Sequence, residues 1–366
     1  MSISTSGRID AQLLSFLRLT VDAGASDLHL TVDRPPMVRR AGSLVSIDGH
    51  DELTPGDLDR IVSSLLDPLQ AAEYEHSRQV DFSFGVDGLG RFRANAFRQR
   101  THPALALRVV PNRVRSLAEL GAPRACSSLL NAPYGLVLVV GPTGSGKSTT
   151  LAAMIDTINQ QRACHILTIE DPVEFVHDHK RAIVNQREVG TDVNSFEDGL
   201  RSALREDPDV ILLGEMRDLE SIAITLTLAE TGHLVFATLH TNDASQALDR
   251  IVDVFPAERR DQIQIQLAGS LQGVVSQRLL PSRMGGRVAA YEALVANDAV
   301  RNLLREGKTR QLRNVIATGA GDGMQTLEAD LARLVIEGHL TQEDACAQSA
   351  FPKDVLQQIA TQRSHR

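Results

Sequence analysis

The sequence predicts an α/β protein in which a small α+β domain precedes a larger domain built on a parallel sheet. The chain has 366 residues, enough for two domains at about 150 residues each. Half-buried strands mix with amphipathic helices in the first third, whereas fully apolar strands alternate with helices from Gly135 onward. The predicted boundaries are 1–112 for the first domain, 113–123 for a linker and 124–366 for the second domain, which is helical beyond about residue 298.

Composition and charge disfavour several classes of protein. Apolar residues make up 42% of the chain and charged residues 23%, which excludes a disordered or fibrous protein. The net charge of −8 argues against a protein that binds nucleic acid through its phosphates, and the absence of Trp leaves few stacking platforms for bases. We therefore expect no nucleic-acid partner.

The cysteines and the apolar segments indicate the cellular compartment in which the protein is expected. The three cysteines lie far apart and form no C-x-x-C pair, which excludes a disulfide framework and a four-thiolate zinc site. The first residues lack the basic and apolar segments of a signal peptide, and no window approaches the ~18 apolar residues of a membrane span. We expect a reducing compartment, with any membrane contact made through a partner protein.

The first domain is predicted from helix and strand periodicity. Apolar residues recur at three- and four-residue steps from Ile9 to Val21, and a second helix begins at Thr54 with Pro55 in its first turn. Alternation along 91–97 places Arg91 and Arg93 on the face opposite the apolar residues. The predicted strands are 27–32, 37–47, 81–86, 91–97 and 105–110, the last ending at Pro111.

The second domain is predicted as a series of βαβ units. Ser195 and Asp198 form a capping box ahead of one helix, and Asp218 opens another that ends at Gly232. Continuous apolar runs, typical of fully buried strands, cover 136–140, 166–169, 210–213 and 234–239. Ligands of open α/β sheets bind at the carboxyl ends of such strands, so the site is expected at that edge.

A phosphate-binding loop follows the first of these strands. Residues 141–148 read GPTGSGKS and fit G-x-x-x-x-G-K-[ST], between an apolar strand and a helix-forming run at 149–158. Lys147 is expected to reach the β- and γ-phosphates, and the Ser148 hydroxyl to hold Mg²⁺. Without a guanine-reading N-K-x-D motif, ATP is favoured over GTP. The predicted nucleotide-binding residues are Gly141, Pro142, Thr143, Gly144, Ser145, Gly146, Lys147, Ser148 and Thr149.

Acidic residues at strand ends are candidates for metal binding and water activation. Glu215 follows the strand at 210–213, but Gly214 occupies the position where an Asp is common, so another acid must help with the metal. Glu170, Asp171 and Glu215 are expected near Mg²⁺. Glu215 or Glu174 is expected to orient and deprotonate the attacking water, and the sequence does not decide between them. The alternative is that these acids are helix caps or solvated loop charges.

The histidines receive different interpretations. His233 and His240 flank the strand at 234–239, and their odd spacing places them on opposite faces, which disfavours a two-histidine metal site. His240, at the carboxyl edge, is expected to sense or bind the γ-phosphate unless it is a hydrogen-bonded structural residue. His177, with His179 and Lys180, is expected in a solvated loop.

Four segments resemble the nucleotide motifs of the secretion and pilus motor ATPases: GPTGSGKST at 141, TIEDPVE at 168, DPDVILLGEMRD at 207 and TGHLVFATLHT at 231. The chain further resembles the type IV pilus retraction motors over nearly its whole length, with ASDLHL at 25, PPMVRR at 35, GRFRANAF at 90, AVRNLLREGK at 299 and GMQTLEADL at 323. The resemblance implies a RecA-like P-loop ATPase domain preceded by a PAS-like domain. It also implies a cytoplasmic homo-hexamer docked beneath an inner-membrane platform protein, which hydrolyses ATP to drive pilus retraction.

The alternatives to a retraction motor are related motor ATPases and proteins of a different functional class. Pilus-assembly and type II secretion ATPases share the motifs, but the extra N-terminal region and tetracysteine zinc insertion usual in that group are not seen in this sequence. An accessory paralogue of the retraction motor shares the domain plan and is also a candidate partner. Retraction motors often read AIRNLIRE where this chain reads AVRNLLRE, so Val300 and Leu304 are apolar departures. Acidic charge counts against a RecA-like DNA motor, and Glu215 against a non-hydrolysing nucleotide-gated regulator.

Two further predictions depend on this resemblance. The arginines expected to reach a nucleotide held by the adjacent subunit, unless local acids pair with them, are Arg91, Arg93 and Arg108. The helix at 298–307 is expected to transmit work to the pilus machinery without touching ATP. Its predicted buried residues are Val300, Leu303 and Leu304, and its predicted exposed residues are Arg301, Asn302 and Arg305. Two arginines four residues apart hint at an acidic partner surface, unless this is a solvated face.

Overall fold

The computed structural model describes residues 9–40, 42–110 and 113–364. The chain divides into two compact units, Met1–Arg113 and Val114–Arg366. The first contains a six-stranded sheet and the second a seven-stranded sheet. The predicted α/β class is confirmed, with a small α+β unit preceding the larger one. The chain start and Pro111, where a strand was expected to end, lie outside the described residues.

The first unit is an antiparallel sheet with three helices. Its elements are α1 (Ala11–Asp22), β1 (Asp27–Leu30), β2 (Met37–Arg40), β3 (Ser43–Ser46), α2 (Pro55–Leu65), α3 (Pro68–Ser77), β4 (Gln79–Val86), β5 (Gly90–Gln99) and β6 (His102–Val110), and the strand order is β3-β2-β1-β6-β5-β4. Thr54 caps α2 in a capping box with Asp57, as its position before Pro55 predicts. The region 37–47 holds two antiparallel strands instead of the one predicted, and α3 was not predicted.

Alternation along β5 separates an apolar face from a polar face, as predicted. Phe92 and Ala94 are buried in the core with α1 and α2, whereas Arg91 and Arg93 lie on the opposite face and are half-buried. In the antiparallel register Arg93 lies directly opposite Arg108 on β6. The sheet therefore collects the predicted arginines on one face.

The second unit is a mostly parallel sheet with the order β13-β12-β7-β11-β10-β8-β9, in which only the edge strand β13 is antiparallel to its neighbour. Its strands are β7 (Gly135–Val140), β8 (His165–Glu170), β9 (Ile183–Glu188), β10 (Val210–Leu213), β11 (Leu234–Leu239), β12 (Leu271–Pro281) and β13 (Arg287–Val295). Every residue of β7, β10 and β11 is buried. Because β7, β8, β10 and β11 are parallel, their carboxyl ends meet at one edge.

Helices cover the second sheet and form the end of the described chain. They are α4 (Arg124–Leu129), α5 (Lys147–Gln161), α6 (Phe196–Ala203), α7 (Leu219–Glu230), α8 (Ala244–Asp253), α9 (Ala257–Ser270), α10 (Asp298–Arg305), α11 (Leu312–Thr318), α12 (Leu327–Ile336), α13 (Gln342–Ala347) and α14 (Pro352–Ser364). Ser195 caps α6 and Asp218 caps α7, each by accepting a backbone N–H bond. Across the described ranges, no helix is both long and apolar enough to cross a membrane.

The segment predicted as a linker belongs largely to the second unit, which begins at Val114. Leu117 and Ala122 pack against the apolar core on the α5 side of the sheet. The Tyr291 hydroxyl on β13 also donates to the Leu120 carbonyl at 3.4 Å. Loop-forming and charged residues suggested a linker, but Leu117 and Ala122 pack against the core of the second unit.

Candidate active site

The phosphate-binding loop connects the end of β7 to the start of α5, and its backbone requires glycine. Gly141, Gly144 and Gly146 have φ values of 150°, 78° and 89°, a region that side chains disfavour. A Cβ at Gly141 would lie 2.3 Å from the Gln277 carbonyl oxygen, and one at Gly146 would lie 2.8 Å from Gln277 Nε2. Close approach to β12 thus adds a second reason for glycine at both positions.

Lys147 lies folded over this loop and is almost completely buried. Its Nζ donates to the carbonyl oxygens of Gly141 at 2.8 Å and Pro142 at 3.2 Å. Burial lowers the pKa of Lys147, while the charges of Glu215 and Glu174 act in the opposite direction. A buried ammonium needs anionic partners, so this position suits the β- and γ-phosphates of a nucleotide.

Other polar groups of the loop also fit a phosphate ligand. The buried hydroxyl of Ser145 has no hydrogen-bond partner within the described structure, and buried polar groups rarely remain unpaired. Pro142, Thr143 and Gly144 are exposed, while Ser148 and Thr149 are half-buried in the first turn of α5. The donors at this helix N-terminus favour an anion.

Glu215 and His240 meet at the carboxyl ends of β10 and β11. His240 Nε2 lies 3.3 Å from Glu215 Oε1, and Arg217 Nε donates to Glu215 Oε2 at 2.8 Å. Arg217 Nη1 also lies 3.8 Å from Asp171 Oδ2. His240 Nδ1 lies 3.5 Å from Lys147 Nζ, which links this group to the phosphate-binding loop. The structure therefore brings predicted residues from four separate segments to one edge.

Glu170 and Glu174 differ sharply in environment. The Glu170 carboxyl group accepts hydrogen bonds from Thr168 Oγ1 at 2.7 Å and Gln186 Nε2 at 3.2 Å. Its burial raises its pKa to about 7, although part of the residue's surface is exposed. Glu174 is exposed, and its charge acts on Lys147. Glu170 is thus held by hydrogen bonds to its neighbours, while Glu174 is exposed.

Gly214 occupies a strand-end position where an Asp is common, and the space around it gives a steric reason for glycine. A Cβ there would lie 3.3 Å from both Glu170 Cα and the Ile169 carbonyl oxygen, which leaves little room for a side chain.

The oxygen donors present are of the kind that Mg²⁺ prefers. Mg²⁺ is commonly held by one or two carboxylates, water and substrate phosphates. Within the described ranges, no three His, Cys, Asp or Glu side chains form a metal-binding group. The Ser148 hydroxyl and the carboxylates of Asp171 and Glu215 are oxygen donors that suit a Mg²⁺ which takes most of its ligands from the nucleotide and water, whereas the predicted Glu170 carboxylate is engaged by Thr168 and Gln186.

Gln277 is a site residue that sequence reasoning missed. It lies on β12 beside the loop and is 3% exposed. Its Oε1 accepts a hydrogen bond from Thr150 Oγ1 in α5 at 2.7 Å, and its backbone and amide face Gly141 and Gly146. No sequence signal identified it, because β12 itself was not predicted.

The predicted arginines of the first unit have local partners to different degrees. Arg108 Nε donates to Asp27 Oδ1 at 2.9 Å, and Arg39 Nε lies 3.8 Å from Asp27 Oδ2. Arg108 is therefore paired with a local acid, as expected under the alternative that these arginines do not reach a nucleotide of the adjacent subunit. Arg93 lies beside it across the strands, and Arg91 occupies the same face of β5.

Helix α10 matches its predicted burial pattern except at Leu303, which was expected to be buried and is half-buried, and at Arg301. Val300 and Leu304 are buried, and Asn302 and Arg305 are exposed. Arg301 is half-buried, and its Nη1 donates to the carbonyls of residues 268 and 269 at 2.6 and 3.0 Å. The expectation of a free Arg301 was wrong, because the last carbonyls of α9 lack helical partners and attract a cation.

Known proteins resemble this chain closely. A family model described as type II/IV secretion system protein matches residues 87–347. The chain is 47% identical over 342 residues to a Pseudomonas aeruginosa protein named type IV pilus retractation ATPase PilT, covering 93% of this chain and 99% of that protein. It is 50% identical over 311 residues to a Neisseria gonorrhoeae protein named twitching motility protein, covering 85% and 83%. A crystal structure of the pilus retraction motor PilT with bound ADP matches with a TM-score of 0.89 at 49% identity, covering 94% and 99%. The chain belongs to the type II/IV secretion system protein family, in the group of pilus retraction ATPases.

Proposed function

We propose that this protein hydrolyses ATP to drive retraction of a type IV pilus, as a cytoplasmic homo-hexamer attached to an inner-membrane platform protein. The observation that best supports an ATPase is the convergence of Lys147, Glu215 and His240 at one sheet edge. The names of two relatives, a pilus retractation ATPase and a twitching motility protein, support retraction as the output.

In this proposal the phosphate-binding loop and Lys147 hold the β- and γ-phosphates. The loop supplies backbone N–H donors, and the buried Lys147 exchanges its carbonyl contacts for phosphate oxygens. Ser148, Glu170, Asp171 and Glu215 are the residues that would hold Mg²⁺, which would neutralise phosphate charge. His240 is assigned the detection of the γ-phosphate, and its 3.5 Å approach to Lys147 Nζ supports that role. Most of the rate then comes from positioning and electrostatics.

Glu215 and Glu174 are the two acids proposed to orient and deprotonate the attacking water. Glu215 has both oxygens engaged by His240 and Arg217, whereas Glu174 is exposed. The variants Glu215→Gln and Glu174→Gln separate them, because the base is the residue whose loss removes the acidic limb of the kcat–pH profile.

Lys147→Ala in the full-length protein tests the ATPase assignment. We expect loss of Mg²⁺-dependent ATP hydrolysis, because the buried ammonium is the phosphate contact. Lys353→Ala is the matched control, since Lys353 is an exposed lysine on α14 and none of the predicted site residues lies on that helix. A Lys147→Ala protein that hydrolyses ATP at the wild-type rate would overturn the assignment.

The retraction output needs a test in cells. We propose that the exposed face of α10, with Arg305, contacts an acidic surface of the pilus machinery. A host that lacks its own retraction motor should regain retraction with this chain and not with Lys147→Ala. ATP hydrolysis without restored retraction would favour a different output, such as an accessory or assembly motor.

A further inference from the structure

We propose that Gln186 is a positioning residue: its side-chain amide fastens the acidic segment 171–178 to the edge of the sheet and so holds Glu174 on the exposed face of that segment. The inference rests on the proposed ATPase activity, since Glu174 is one of the two acids assigned there to the attacking water. Gln186 itself touches no reacting group.

The Gln186 side chain, on β9, makes two hydrogen bonds to this segment and one to Glu170 at the end of β8. Its Oε1 accepts from the His177 backbone N–H at 2.8 Å. Its Nε2 donates to the Phe175 carbonyl at 2.8 Å and to Glu170 Oε1 at 3.2 Å. One side chain thus replaces the backbone ladder that the segment lacks.

Glu188 provides a second attachment from the same face of β9. It is buried, and its Oε2 accepts from the Val173 backbone N–H at 3.0 Å. Glu188 and Gln186 are two residues apart, so their side chains point to the same side of the strand. The segment is therefore held at alternate residues, as a paired strand would be.

Burial along the segment follows this attachment. Val173, Phe175 and His177 are 3%, 8% and 8% exposed, whereas Glu174 and Val176 are exposed. Strand-like alternation puts Glu174 on the outer face because its neighbours on both sides are fixed inward. The burial of Val173 and Phe175 and the hydrogen bonds from β9 therefore select the same face.

The far end of the segment is fixed to the helix that carries Lys147, because Asn159 Nδ2 on α5 donates to the Asp178 carbonyl at 2.7 Å. The His177 ring is buried, contrary to the solvated loop expected from the sequence, and its Nδ1 lies 3.9 Å from Asp156 Oδ1 on α5. Asp156 also accepts from Lys180 Nζ at 2.5 Å. Glu174 is thus placed between an attachment to β9 and one to α5.

A double-mutant cycle tests whether Gln186 acts through Glu174. In the full-length protein, Gln186→Leu should lower kcat by about tenfold or more, because displacement of a positioned group by ~1 Å can cost that much. The dissociation constant for ADP should change less than about threefold, because the phosphate-binding loop is untouched. In a Glu174→Gln background the same substitution should add little, since residues acting on one group are not additive.

Asn185→Leu is the matched control, because Asn185 is the neighbouring residue on β9 and bonds His165 at 3.0 Å instead of the segment. If Gln186→Leu does not fold, Gln186→Glu repeats the cycle, keeping the acceptor for His177 and losing both donors. Equal losses of kcat with and without Glu174, or a parallel loss of ADP affinity, would overturn the positioning role. A wild-type protein without ATPase activity would instead overturn the proposed function, so the two failures are distinguishable.

Discussion

Removing the Arg301 side chain should weaken the fold, whereas removing Arg305 should leave it intact. Both arginines lie on α10, four residues apart, and were predicted to be equivalent. Arg301 Nη1 reaches two carbonyls in the last turn of α9, while the exposed Arg305 bonds Asn302 Oδ1 at 2.9 Å within its own helix. Arg301→Ala therefore breaks a contact between helices, and Arg305→Ala does not.

The expected loss of folding stability in Arg301→Ala follows from those contacts. A hydrogen bond involving a charged group contributes about 1.5–3 kcal/mol when buried, and a cation at a helix C-terminus about 0.3–1 kcal/mol. Arg301 is half-buried, so solvent screening reduces the combined effect to about 1–2 kcal/mol. At about 2–4 °C per kcal/mol for a unit of this size, Arg301→Ala should lower the unfolding temperature by about 2–8 °C. Arg305→Ala should change stability by less than about 0.5 kcal/mol.

Thermal unfolding of both purified variants, at one protein concentration and without nucleotide, measures the difference. ATPase activity and pilus retraction are then measured on the same variants. Arg305→Ala should retain hydrolysis and lose retraction. Arg301→Ala should instead show a lowered unfolding temperature. Equal unfolding temperatures for the two variants would refute the reasoning about α9, and loss of hydrolysis in Arg305→Ala would refute a separate output face.

Three further outcomes are expected. Burial raises the pKa of Glu292 to about 7, so the wild-type protein loses stability as pH rises from about 4.5 to about 7. Glu292→Gln should therefore be more stable relative to the wild type at pH 8 than at pH 5. Denaturant unfolding that gives the same free-energy difference between variant and wild type at both pH values would contradict this. Gly146→Ala should reduce ADP affinity more than Gly144→Ala, because only the former meets Gln277; equal dissociation constants would contradict it. Mixed rings of Lys147→Ala and Arg93→Ala subunits should regain ATPase activity if Arg93 acts in trans, since such an arginine contributes ~10³ to 10⁵ in rate; well-mixed rings without activity would count against it.

Local sequence predicted the elements whose pattern is self-contained. The strand β7, the loop after it and α5 follow from an apolar run, fixed glycine spacing and a helix-forming segment. Parallel strand ends then placed Glu215 and His240 near Lys147 without further information. Helix α3 was missed because only Tyr74 is buried along it, so it has no apolar stripe, although Asp67 and Gln70 form a capping box that marks its start.

Contacts between distant strands could not be predicted in the same way. Thr150 and Gln277 are hydrogen-bonded although 127 positions separate them, and no local pattern tells which strand lies beside β7. Arg301 was interpreted from the periodicity of its own helix, which says nothing about the end of α9. Gln186 lies in a strand whose exposed and buried residues give no clear signal. In each case the missing information was a neighbour in space.

Helix α8, which follows His240 by a few residues, is hydrogen-bonded both to β13 and to the turn after α10. At its start, the Ala244 backbone N–H donates to Glu292 on β13 at 3.0 Å. Farther along, Thr309 Oγ1 donates to Asp249 Oδ1 at 2.7 Å, and Ser245 Oγ donates to the Thr309 carbonyl at 3.0 Å. Thr309 lies in the turn that follows α10, so these hydrogen bonds join α8 to that turn. A shift of the strand end at His240 that reaches α8 would therefore either break these hydrogen bonds or carry that turn with it.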